Sequence, residues 1–71
     1  MTAPDAVLVD ELIAVAARWI RASKRLMNEG REREAEALRR DALNVMDALT
    51  IVTGSGARLF ERLNATVEGA A

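Results

Sequence analysis

Apolar residues fall at Leu8, Leu12, Val15, Trp19, Ala22 and Leu26, at spacings that alternate between four and three. That is the repeat of a heptad seam, and it predicts a first helix. A second apolar line runs beside it through Val9, Ile13, Ala16, Ile20 and Met27, with Ser23 as its one polar member. Together the two lines make an apolar face about twice the width of a two-stranded seam. Thr2 and Asp5 form a loose capping box and Pro4 suits a first-turn position, which places this helix over about residues 4–29.

Carried past Gly30, the first line would meet Glu29, Arg33, Glu36 and Arg40, all charged. Instead an apolar line restarts in a new phase at Ala35, Leu38, Ala42, Val45, Leu49 and Val52. A phase break at a glycine predicts a tight helix–helix turn, with a second helix over about residues 31–53. Glu32 and Glu34 then occupy its first turn, where the helix dipole favours negative charge. Thr53-Gly54-Ser55-Gly56 follows, with two glycines suited to positive φ and Ser55 as an N-cap. A short third helix over about residues 56–68 presents Leu59, Phe60, Leu63 and Val67 on one side. Its Arg58, Glu61, Arg62 and Asn64 point outward. The expected fold is all-α, a single domain over residues 1–71: an antiparallel helical hairpin plus a short third helix.

This pattern holds more apolar surface than one chain of 71 residues readily covers. One antiparallel neighbour covers about one line of the first helix, and the third helix is about half as long. The second helix adds Leu43, Met46 and Ile51 beside its own seam. Leaving such side chains wet forfeits roughly 1.5–3 kcal/mol each, and a contiguous patch of them marks an interface. The expectation is a homo-oligomer, in its commonest form a dimer with a four-helix core. Leu8, Leu12, Val15, Trp19, Leu38, Val45 and Leu49 are its candidate core and interface residues. The alternative is a monomer in which the third helix fills the gap.

Charge changes this picture more than composition does. The stretch RWIRASKRLMNEGREREAEALRR, residues 18–40, holds eight basic residues against four Glu, a net of +4. The remainder holds seven acidic residues against two Arg, a net of −5, and the total is −1. Arg18, Arg21 and Arg25 recur at three and four on one helix face with Lys24 beside them, a candidate electrostatic site for a partner. An unneutralised row of this kind also suits phosphates, through release of condensed counterions. On the second helix, Glu29–Arg33 and Glu36–Arg40 read as self-neutralising i,i+4 pairs. Trp19 lies on the seam and is withdrawn from base stacking, and the overall acidity opposes non-specific nucleic-acid affinity.

Within this stretch, Ala17-Arg18-Trp19-Ile20-Arg21 resembles a segment of the plasmid regulators called repressor of primer. The resemblance implies a dimer of helical hairpins that binds paired RNA loops. It covers five residues of 71, and the third helix departs from that family's pattern.

Little points to catalysis. With no Cys and no His, the usual nucleophile and base are missing, as are the commonest zinc ligands and any disulfide. Asp10 and Glu11 are neighbours about 100° apart on a helix and diverge. Ser55, Gly56 and Arg58 make the one anion-binding candidate, a turn at a helix start that lacks the length and lysine of a P-loop. The longest apolar run, Leu12–Ala17, is far short of the roughly 20 residues that cross a bilayer. The acidic N-terminal stretch does not read as a signal peptide. The sequence therefore predicts a soluble, cytoplasmic, non-enzymatic oligomeric module without cofactor or metal, which binds a macromolecular partner. RNA or DNA binding through the first helix is the alternative, and sequestration of a small phosphorylated ligand the third reading.

Overall fold

The computed structural model describes residues 6–69, which form three α-helices: α1 (Ala6–Asn28), α2 (Glu32–Thr53) and α3 (Gly56–Gly69). There is no strand among the described residues. The capping box at Thr2, Pro4 and Asp5 lies outside them.

α1 ends where the sequence carries its glycine. Gly30 takes φ 78°, a conformation open to a residue without Cβ. The Gly30 N–H donates to the Met27 carbonyl oxygen (3.0 Å), and the Arg31 N–H reaches back to that of Leu26 (2.9 Å). This paired arrangement satisfies the carbonyls that the end of a helix leaves free. α2 starts at once, with Glu32 and Glu34 in its first turn and no side-chain cap from Arg31. Its other end closes more simply, on Gly54 at φ 70° with the Gly54 N–H on the Thr50 carbonyl oxygen (2.7 Å).

Gly56 departs from the expectation of a second positive φ, which among the described residues only Gly30 and Gly54 adopt. It opens α3, where a Cβ would lie 2.8 Å from Thr50 Cγ2 and 3.2 Å from Thr50 Oγ1. Glycine is needed here for close approach of α3 to α2. Ser55 does precede the helix, and its carbonyl oxygen accepts the Leu59 N–H at 3.1 Å. Its hydroxyl turns back to donate to the Thr53 carbonyl oxygen.

The core gathers Val9, Ile13, Ala16 and Ala17 of α1, Ala42, Met46 and Leu49 of α2, and Leu59 and Leu63 of α3. On α1 this is the second apolar line, not the heptad seam. Leu12, Val15 and Trp19 are half-buried, as are Leu38 and Val45 on α2; Leu8 is exposed, and of the seven seam candidates only Leu49 is buried. The reason is the side on which α3 docks. Arg62 of α3 pairs with Asp10, and Phe60, Leu63 and Val67 border one groove with Ile20 of α1 and Leu43 of α2. The point where all three helices meet lies under Ile13 and Ala17, and the seam is left at the opposite margin.

α3 starts beside Ala6 and Val9, and its last turns reach Ile20 and Lys24. Fourteen residues span about 21 Å, against about 34 Å for the 23 of α1. The turn end of α1 and α2 therefore extends past α3, and there the only buried side chains are Ser23 and Ala35.

Candidate interaction surfaces

Two surfaces on α1 remain available after this packing. The first is the heptad seam. Leu8, Val9 and Leu12 line a wholly apolar groove with Val45, Ala48, Leu49 and Val52 of α2, on the side away from α3. Leu8 is 52% and Val52 65% exposed, large values for side chains in such a groove. Toward the turn the α1 side of this face stays apolar through Trp19, Ala22 and Leu26, all half-buried. The α2 side keeps the half-buried Leu38 but adds charge. Asp41 and Glu34 lie four and eleven residues before Val45, on the same stripe of helix, and both are exposed.

Ala48 and Asp41 were not among the interface candidates drawn from the seam. Their spacing of three and four from Val45 is the signal that marks them. Met46, expected at the flank of the seam, is fully buried at the centre of the core, whereas Ile51 is 83% exposed.

The second surface is the basic row. Arg18, Lys24 and Arg25 are exposed and Arg21 is half-buried. The ion pairs among the described residues are Arg31 with Glu29 and Glu34, and Arg62 with Asp10, so none involves this row. Arg18 and Arg21 border a shallow depression with Glu11, Ala14, Val15 and Thr66. Lys24 sits farther along, across from Arg39 of α2. The four cations thus form one band that wraps from the edge of the seam toward α3.

The second helix neutralises its charge differently from its i,i+4 spacing. Neither Glu29–Arg33 nor Glu36–Arg40 is formed. Glu29 belongs to the turn, where the left-handed Gly30 breaks the helical register that an i,i+4 pair requires. Glu36 and Arg40 are both exposed, where a single ion pair gains too little to hold two long side chains. Arg31 instead donates to both carboxylate oxygens of Glu34, and its pKa is held above the usual arginine value by that contact first, with Glu29 adding to it.

The third candidate, Ser55 with Gly56 and Arg58, is a turn that satisfies itself. The Ser55 N–H donates to Thr53 Oγ1 (3.3 Å), and the Ser55 hydroxyl to the Thr53 carbonyl oxygen (3.4 Å). Arg58 and Arg62 border an open depression with Ala6, Val9, Thr53 and Leu59, and Arg62 is already paired with Asp10. An amide and a hydroxyl that an anion would use are both engaged.

Every described Ser and Thr hydroxyl has a backbone carbonyl as its acceptor: Ser23 on Ile20, Thr50 on Met46, Thr53 on Leu49, Ser55 on Thr53 and Thr66 on Arg62. No group of acidic side chains among the described residues is arranged to hold a metal ion, and no helix is long and apolar enough to cross a membrane. No protein-family model, curated protein or solved structure matches the chain.

Proposed function

We propose that this protein is a non-catalytic interaction module, in which α1 and α2 form an antiparallel hairpin that self-associates through its seam face and presents the α1 basic row to an acidic macromolecular partner. The observation that carries this reading is the seam itself. Six apolar positions from Leu8 to Leu26 keep strict heptad spacing, yet α3 packs on the other side of α1, and none of the six is fully buried. Burying such a face against a partner helix recovers free energy that the single chain forgoes. Hydroxyls engaged with backbone carbonyls, and the absence of Cys and His from the sequence, support a role other than nucleophilic catalysis.

Light scattering over a concentration series tests the first part: the mass rises to that of a closed oligomer, and a single chain at every concentration refutes self-association. For the partner, an acidic protein surface is the principal reading. Arg18, Arg21, Lys24 and Arg25 have no ion-pair partner among the described residues, which also favours a second reading, RNA or DNA. Titrations of RNA hairpins and duplex DNA against salt separate the two. A phosphate binder loses affinity linearly in log salt, by roughly one unit of slope per contact, and Arg21→Glu with Arg25→Glu abolishes its binding. The protein-partner reading expects no measurable nucleic-acid binding near 0.15 M salt.

A further inference from the structure

We propose that the occupant of the seam face is a second copy of this chain, seated turn by turn about a two-fold axis that runs along the helices, so that α1 of each copy lies on α2 of the other. This rests on the self-association reading above and adds to it an orientation, a register and a specific charge pair.

The argument starts from how unlike the two halves of the face are. Near the chain's open end both helices are apolar, with Leu8, Leu12, Val45, Ala48 and Val52. Near the turn α2 sets the carboxylates of Asp41 and Glu34 beside Leu38, while α1 presents Trp19, Ala22 and Leu26 flanked by Arg18 and Arg25. A self-complementary face must match apolar with apolar and acid with base, and only some symmetry operations do so.

Turning the second copy end over end would set α1 on α1 and α2 on α2. Asp41 and Glu34 would then press on Val45 and Val52 of the other copy, charge against hydrocarbon without compensation. The axis along the helices avoids this. Val15, Leu12 and Leu8 of one copy then meet Val45, Ala48 and Val52 of the other, level by level. At the next level toward the turn, Trp19 meets Asp41, and Arg18, one position to the side, reaches the same carboxylate. Arg18 and Asp41 are both exposed and have no ion-pair partner among the described residues. The symmetry makes this pair twice. Glu34 is already held by Arg31, so the second level of charge adds less. In this seating Arg18 belongs to the interface, and the row offered to another partner reduces to Arg21, Lys24 and Arg25.

Two measurements on the full chain test it. By sedimentation equilibrium, Arg18→Asp and Asp41→Arg each weaken the dimer by roughly tenfold, since each sets like charges together at two places. The double variant restores the dimer to within about threefold of the parent, and helicity by circular dichroism shows whether each variant folds. Independently, Leu26→Cys, on the seam beside the turn in a chain with no cysteine of its own, is treated with a bis-maleimide. Turn-by-turn seating sets the two thiols at the same level across the interface and links them, whereas the end-over-end arrangement holds them about 27 Å apart along the helix axis and leaves them unlinked. A parent dimer whose thiols stay unlinked, or whose double charge variant is as weak as either single one, overturns this seating and leaves self-association standing. A parent that remains a single chain overturns both.

Discussion

The two ends of the bundle are built from the same pair of long helices, but they bury different things. At the open end α1, α2 and α3 meet over Ile13, Met46, Leu59 and Leu63, and Met46 and Leu63 are the largest side chains wholly removed from solvent. At the turn end only two helices remain, and the buried side chains are Ser23, whose hydroxyl donates to the Ile20 carbonyl oxygen, and Ala35. Small residues let backbones come close but remove little apolar area from water. Stability therefore resides at the open end, and the turn end can carry charge without disturbing the core. The net of +4 over residues 18–40 falls on the part of the chain that contributes least to the core.

The largest effect that follows is at Met46. Met46→Ala empties the centre of the three-helix junction and lowers the unfolding free energy by about 2–5 kcal/mol, as read from urea denaturation. Leu26→Ala, at a half-buried position near the turn, costs less than half of that. Equal losses at the two sites would dissolve the comparison, because they would require the turn end to be packed as tightly as the junction.

A smaller effect sharpens how the open end is closed. Gly56→Ala sets a Cβ 2.8 Å from Thr50 Cγ2, and Thr50 cannot swing aside freely while its hydroxyl donates to the Met46 carbonyl oxygen (2.9 Å). The expected loss is about 1–3 kcal/mol, from displacement of α3. Adding Thr50→Ala removes the obstructing atoms, so a double-mutant cycle gives a coupling that returns most of the loss. Additive losses would show that α3 is held away from Thr50.

Much of this was legible in the sequence, and the part that was not has a definite cause. Three helices and their breaks at Gly30 and Gly54 follow from periodicity and from the carbonyls a helix end must satisfy, which are local properties. Both apolar lines of α1 were visible too. Which line becomes core was not, because heptad regularity says that a line wants a partner helix without saying which partner. α3 decides it by docking against Ile13 and Ala17, a choice that rests on burying Leu59 and Leu63 against residues far apart in the chain. Gly56 was misread for the same reason: its need is for space beside Thr50 of another helix, which no local pattern announces. The basic row was legible as a row, whereas Asp41 gains meaning only once the seam face is seen to lie open beside it.

The smallest of the three effects probes the turn end directly. At Gly30 a Cβ would meet no atom within 4 Å, so Gly30→Ala introduces no clash and its cost is confined to the left-handed backbone. That cost is roughly 1–2 kcal/mol for an L-residue, and less for Gly30→Asn, whose side chain tolerates the conformation. Relief of this strain needs only the turn to open, since few buried side chains tie it to the rest. The Gly30 and Arg31 amides, bonded to the Met27 and Leu26 carbonyl oxygens, should then exchange with solvent roughly tenfold faster in Gly30→Ala. Amides around Met46 and Leu63 exchange through opening of the three-helix junction and set the protection ceiling against which this local change is read. Were Gly30→Ala to cost as much as Met46→Ala, the turn would have to be coupled to the junction through packing that Ser23 and Ala35 are too small to provide.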